Sequence, residues 1–299
     1  MKKLLLSLLI LPFVVTAQDA DSTKSSNWTY AGLYSFSMSQ TSLTNWNAGG
    51  ENSLNLSALI RQAADFENED WTWANTFSAT YAVNYQGSSA LKTGDNLEYT
   101  TRLDRNINEK KTWRTSAFLN FRTQFVDGFE NREATKPIST FMAPGYLTAG
   151  LGFTYKQEDF TLYVSPVTLK QTYVLDDSLS AKGAFGVDAG STLRNEVGAS
   201  LNASYTKAIT PTLDVTSNLN LFSNYVENPQ NIDVNWETIF LLQAWENITV
   251  SWHLHLIYDD DILVQNPDPV SGDFTSPGTQ FKSVLGLGIS YAFGKYKED

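Results

Sequence analysis

Cysteine is absent from the chain. That excludes a disulfide framework, thiol catalysis, a thiolate metal site and a lipid-modified cysteine anchor. Histidine occurs twice and methionine three times. Charged residues make up 18% of the chain, below the ~25% of ordinary soluble domains. Basic residues are in deficit, 21 against 32 acidic, for a formal charge of −11. Nucleic acid is therefore a poor partner, because phosphate binding needs clustered Lys and Arg. No segment offers the ~20 apolar residues of a membrane-spanning helix. The one apolar run opens the chain, MKKLLLSLLILPFVVTA. Lys2 and Lys3 supply its charged start and Val15-Thr16-Ala17 a small-residue cleavage site, so 1–17 reads as a secretory signal. Its removal would take the formal charge to about −13.

Aromatic residues are abundant, with 14 Tyr, 17 Phe and 8 Trp. They fall in alternating segments, and successive strand side chains point to opposite faces. The last segment, 281–293, puts Leu285, Leu287, Ile289, Tyr291 and Phe293 on one face. Gly286, Gly288, Ser290 and Ala292 take the other. About eleven earlier segments repeat this pattern from Trp28 onward. The clearest aligns Trp71, Trp73, Phe77, Ala79, Tyr81, Val83 and Tyr85. Another begins with Phe160, Leu162 and Val164, and Pro166 then predicts a bulge or a change of face, since proline cannot donate to the ladder.

The connections alternate in length. Short ones fall at 67–70, 108–112, 157–159, 207–211 and 246–247. Long ones fall at 40–51, 86–95, 127–145, 176–192, 226–232 and 259–278. Outer-membrane barrels have short periplasmic turns and long external loops, an even strand count and aromatic girdles at both interfaces. A soluble barrel alternates too, with its apolar side inside. The aromatic strand ends, the export signal and the width of a twelve-stranded barrel all favour an apolar outside and a polar lumen.

With that orientation, parity sends Arg61, Arg102, Arg114, Arg122, Arg194 and Lys282 inward. Asp65, Glu98, Asp104, Glu196, Asp233 and Glu237 accompany them. The balanced signs predict either a paired network that narrows the lumen or, more plainly, solvated wall residues with no specific ligand. His253 and His255 lie two apart on the inward face. Beside carboxylates they could build a metal or acid–base site, but no serine-plus-orienter arrangement surrounds them, so they read as lumen wall. Asp259, Asp260 and Asp261 crowd oxygen ligands as a calcium site would, without the spacing of a calcium loop. Apolar residues in the loops at 141–145 and 183–187 predict segments that fold inward over the mouth or meet a partner.

Several stretches resemble a Bacteroidota outer-membrane β-barrel family catalogued as a domain of unknown function (DUF3078-like). They are SLTNWNAGGENS from Ser42, FMAPGYLTAGLGF from Phe141, SPVTLKQTYV from Ser165, GAFGV from Gly183, LFSNYVENPQNIDVNWE from Leu221, HLIYDDDI from His255 and the last strand. The resemblance implies an integral outer-membrane barrel and brings no activity or catalytic residues with it. The expected organisation is a signal peptide (1–17), a polar leader (18–27), an all-β, antiparallel up-and-down transmembrane barrel of about twelve strands (28–293) and a short polar tail (294–299). The expected role is a passive, porin-like conduit for small hydrophilic solutes, with outer-membrane lipid around it, no cofactor, no resident metal and no enzymatic activity. A second reading is a non-conducting accessory barrel whose external loops dock another envelope protein. A membrane-embedded hydrolase built on the histidines is a distant third.

Overall fold

The computed structural model describes residues 27–44, 51–245, 248–259, 261, 263–265 and 275–294. The expected signal and nearly all of the polar leader (1–26), the loop 45–50, Asp260, the turn 246–247 and the tail 295–299 lie outside the described residues. The chain runs through β1 (Trp28–Thr41), β2 (Ser53–Glu67), β3 (Trp71–Gln86), β4 (Ser89–Asn106) and β5 (Trp113–Thr123). It continues with β6 (Gly145–Gln157), β7 (Phe160–Tyr173), a one-turn helix α1 (Asp177–Ser180), β8 (Leu193–Thr210) and β9 (Leu213–Asn224). Then come β10 (Ile232–Trp245), β11 (Ile248–Tyr258), the small hairpin β12 (Leu263–Gln265) and β13 (Thr275–Pro277), and β14 (Gln280–Phe293). Each barrel strand pairs antiparallel with its sequence neighbour, β11 skips the small hairpin to pair with β14, and β14 pairs with β1 to close a barrel of twelve. The strands hold 11 to 18 residues, more than the ~9–11 that a tilted strand needs to cross a bilayer.

Closure depends on two glycines. β1 and β14 pair from Gly32↔Phe293 to Ser37↔Gly288. The Phe293 ring lies where a Cβ on Gly32 would sit, 2.2 Å from its nearest carbon, and stacks on Tyr34. A Cβ on Gly288 would come within 2.5 Å of the Phe36 carbonyl oxygen. The smallest residue thus lets the first and last strands meet at pairing distance.

The two faces separate by chemistry. Outward lie Phe36, Trp73, Leu151, Trp252 and Leu285, the last 73% exposed. Inward side chains contact strands that are not their neighbours. Lys170 of β7 reaches Asp233 of β10 at 2.6 Å with β8 and β9 between them. Phe118 of β5 packs on Tyr163 of β7. Only the concave side of a closed sheet permits such contacts. Aromatics gather at the short-turn end, where Trp28 meets Phe66 and Trp73, and Trp113 meets Tyr155. A face of bare Leu, Ile and Trp is unfavourable in water and favourable in hydrocarbon. The fold is a transmembrane antiparallel β-barrel.

Two features refine the expected outline. The connection at 86–95 is not a long loop: β3 and β4 continue as a paired hairpin turned by Gly87 and Ser88, with a register shift at Ala82/Val83. Gly87 takes the φ of +57° that this turn requires. At Pro166 the register of β7 slips against both β6 and β8. Val164 is outward before the bulge and Val167 after it, while Ser165 and Thr168 are fully buried. The alternation changes parity there, as the proline predicts.

Candidate functional site

All fourteen charged and histidine residues singled out by parity lie on strands of the barrel, and those within contact distance form three groups on its concave side. The first sits at the short-turn end. Asp104 on β4 is fully buried and accepts from Arg102 Nε at 2.9 Å. Arg114 Nη1 of β5 approaches the same oxygen, Oδ2, at 3.8 Å, and the Thr154 hydroxyl of β6 donates to Oδ1 at 3.3 Å. Arg114 also donates to Thr72 of β3 at 3.2 Å. Three strands meet at this one carboxylate and a fourth joins through Arg114, and a buried charge of this kind persists only with such partners.

The second group lies at the long-loop end. Lys170 is surrounded by Asp233 (2.6 Å), Glu196 (3.5 Å) and Asp259 (3.7 Å). Arg194 contacts Glu196 (3.4 Å), Glu227 (3.3 Å) and Asp261, and donates to the Gly186 carbonyl at 3.3 Å. Asp259 and Asp261 therefore serve as counter-ions to two barrel cations. Asp259 Oδ1 also accepts from the Asp261 amide.

The third group lines the wall of β2, β10, β11 and β14. Glu237 and His255 are register partners across β10 and β11, and His255 and Lys282 across β11 and β14. His253 Nε2 lies 2.7 Å from Glu237 Oε1 but is not aligned as a hydrogen bond. His255 Nε2 is 2.9 Å from Asn235 Oδ1. Among the described residues no serine hydroxyl is hydrogen-bonded to either ring, so the elements of a hydrolytic triad do not meet here. Arg61 acts electrostatically on Glu237, and Arg122 on His255. β5, which carries Arg122, lies opposite β11 in the ring of twelve.

Facing one another in register does not by itself make a pair. Glu98 and Arg122 are register partners, yet Glu98 is held by Asn120 at 2.7 Å and by Asn96. Arg122 instead lies 5.0 Å above the Tyr146 ring.

Over the mouth, the connections after β5 and β7 pack together. Ala143, Val174, Leu179 and Val187 form a buried cluster with Ala184 and Phe185 against it. Asp176 caps α1, accepting from the Ser178 and Leu179 amides at 2.9 Å. The Ser178 hydroxyl and these amides hold its carboxyl below the usual range. Phe141, in the connection after β5, stays 57% exposed.

Residues 38–129 match the model of a family described as Protein of unknown function (DUF3078). That span carries Arg61, Asp65, Glu98, Arg102, Asp104, Arg114 and Arg122, while the histidine wall lies beyond it. No curated protein matches the chain. Among solved structures, an outer membrane channel from Pseudomonas putida F1 is similar at 12% identity and a TM-score of 0.40, over 92% of this chain and 98% of that one. The translocator domain of the autotransporter NalP from Neisseria meningitidis is similar at 8% identity and a TM-score of 0.37, over 91% and 90%. These are likenesses of barrel to barrel, and the fold itself rests on the strand pairing.

Parity counting missed two basic residues. Lys170 follows the bulge, so its inward parity emerges only if the face is switched at Pro166. Lys92 lies in the hairpin expected as a loop. It pairs with Asp95 at 3.1 Å and donates to the Val126 carbonyl, while Asp95 accepts from the Phe125 and Val126 amides. The Pro166 signal was sufficient for the first; the second lies beyond the register shift at Ala82/Val83, which sets Lys92 opposite Val83 and which alternation does not reveal.

Proposed function

We propose that the chain is exported by its first seventeen residues, loses them, and stands in the outer membrane as a passive, narrow conduit for small hydrophilic solutes. The resemblance to Bacteroidota barrels belongs with this reading. The observation that carries it is the unequal filling of the interior. The large and charged inward side chains that are fully or nearly buried, Asp104, Arg114, Tyr163 and Glu196, lie on one wall with Thr154, Ser165, Thr168 and Ser200, whereas the other wall buries only small ones such as Ala31, Ala63 and Thr249. On the opposite wall Arg61, Glu237, His253 and His255 are only partly buried, and Lys282 is exposed. The water path would follow that second wall, beneath the packed connections at the mouth. Mixed charge along it suits small polar solutes of either sign better than one kind of ion.

The full-length protein in a planar bilayer should give small, discrete conductance steps in salt. A consistently silent bilayer would overturn the conduit. It would favour the accessory barrel, whose support is the exposed apolar trio Phe141, Leu175 and Val226 at the long-loop end. Mild detergent extraction should then bring down a stable envelope partner.

A further inference from the structure

We propose that Glu237, His253 and His255 form a binding site for a divalent transition-metal ion of the zinc or copper kind, set in the lumen wall. One ligating atom from each lies within 4.8 Å of those of the other two. Ligands at ~2.0–2.1 Å from a tetrahedral ion stand ~3.3 Å apart, so small side-chain rotations close the set. The backbone holds the rest. The histidines alternate onto one face of β11, two residues apart, with their rings parallel within 12° and 6.0 Å between centroids. Glu237 is fixed opposite His255 by the strand register. A carboxylate with two imidazoles suits zinc or copper(II) and is a poor site for calcium or magnesium, which take oxygen ligands.

Two details point to a ligand rather than to a satisfied wall. The Nε2 atom of His253 is shielded from solvent and has no aligned hydrogen-bond partner despite its closeness to Glu237. His255 is oriented through one ring nitrogen by Asn235. As a donor there, it leaves the other nitrogen's lone pair for an ion, and metal-binding histidines are commonly held by such an outer contact. The surroundings oppose a cation in part. Lys282 faces His255 across the strands, Arg61 acts on Glu237, and Arg122 acts on His255. Affinity should therefore rise when the nearest of these charges is removed.

The test uses the full-length folded barrel in detergent micelles with copper(II) or zinc chloride. Calorimetry should show one ion per barrel. Losing an outer contact costs ~10–100-fold in affinity, so His253→Ala and Glu237→Gln should each exceed a hundredfold loss, and Lys282→Met should tighten binding. The copper(II) resonance spectrum should show coupling to two imidazole nitrogens. Retained heat-shifted migration on gels would establish that each variant is folded. Absence of saturable binding would overturn the proposal, as would unchanged affinity in a folded His253→Ala/His255→Ala double variant or weaker binding in Lys282→Met. Binding is read without transport, so a barrel that conducts but ignores copper, or the reverse, separates this inference from the conduit.

Discussion

On the lipid side, three hydroxyls that sit where alternation calls for apolar residues each accept from an indole. Trp73 Nε1 donates to Thr101 at 2.8 Å, Trp236 to Ser217 at 2.9 Å and Trp252 to Ser283 at 3.0 Å. Water is scarce in hydrocarbon, so an indole N–H facing lipid must find its acceptor on the barrel. Ser283→Ala should leave the Trp252 donor unpaired and cost about 1–3 kcal/mol. Urea unfolding in lipid vesicles, followed by tryptophan fluorescence, measures this. Adding Trp252→Phe removes the orphaned donor and should recover part of the loss. A double variant no better than Ser283→Ala alone would break the link. Asp104 shows the inner counterpart of the same rule, a buried carboxylate answered by two arginines and a hydroxyl.

Arg194 joins four pieces of chain at the level of elements: β8, the β9–β10 connection through Glu227, the last long connection through Asp261, and the segment after α1 through the Gly186 carbonyl. Arg194→Ala should free these connections while the strands stay paired. Hydrogen exchange should quicken at 183–192 and 225–231 and remain slow in β8 and β9. Equal acceleration throughout β8 would mean that the residue supports the wall instead of the mouth. Legibility in the sequence differed sharply between such elements. Strands were readable because one face meets lipid along its whole length, so the period of two is written directly in Trp, Leu, Gly and Ser. The mouth was not, since its order comes from contacts between distant segments, Ala143 and Val174 against Leu179 and Val187. Apolar loop residues signalled that something would be covered there. They could not say that Val187 would be buried while Phe141 stays exposed.

For the whole molecule, strand number, closure and, apart from the tight hairpin at 86–95, the sorting of short and long connections followed from alternation and turn composition. The candidate site followed only in part. Parity named the inward charges, but which of them meet depends on barrel diameter and strand stagger, neither of which a one-dimensional pattern contains. Thus Glu98 and Arg122, opposite in register, find other partners, while Lys170 and Asp233 meet across two strands. Everything rests on which face touches hydrocarbon. Because the chain has no cysteine, single cysteines can carry spin labels at chosen positions in lipid vesicles. Labels at Leu151 and Leu285 should be relaxed by oxygen, which concentrates in the bilayer, and shielded from a water-soluble nickel chelate. Labels at Ser204 and Ser290 should be shielded from lipid-dissolved oxygen. Nickel relaxation at Leu151 and Leu285, with oxygen relaxation at the two serines, would contradict the account.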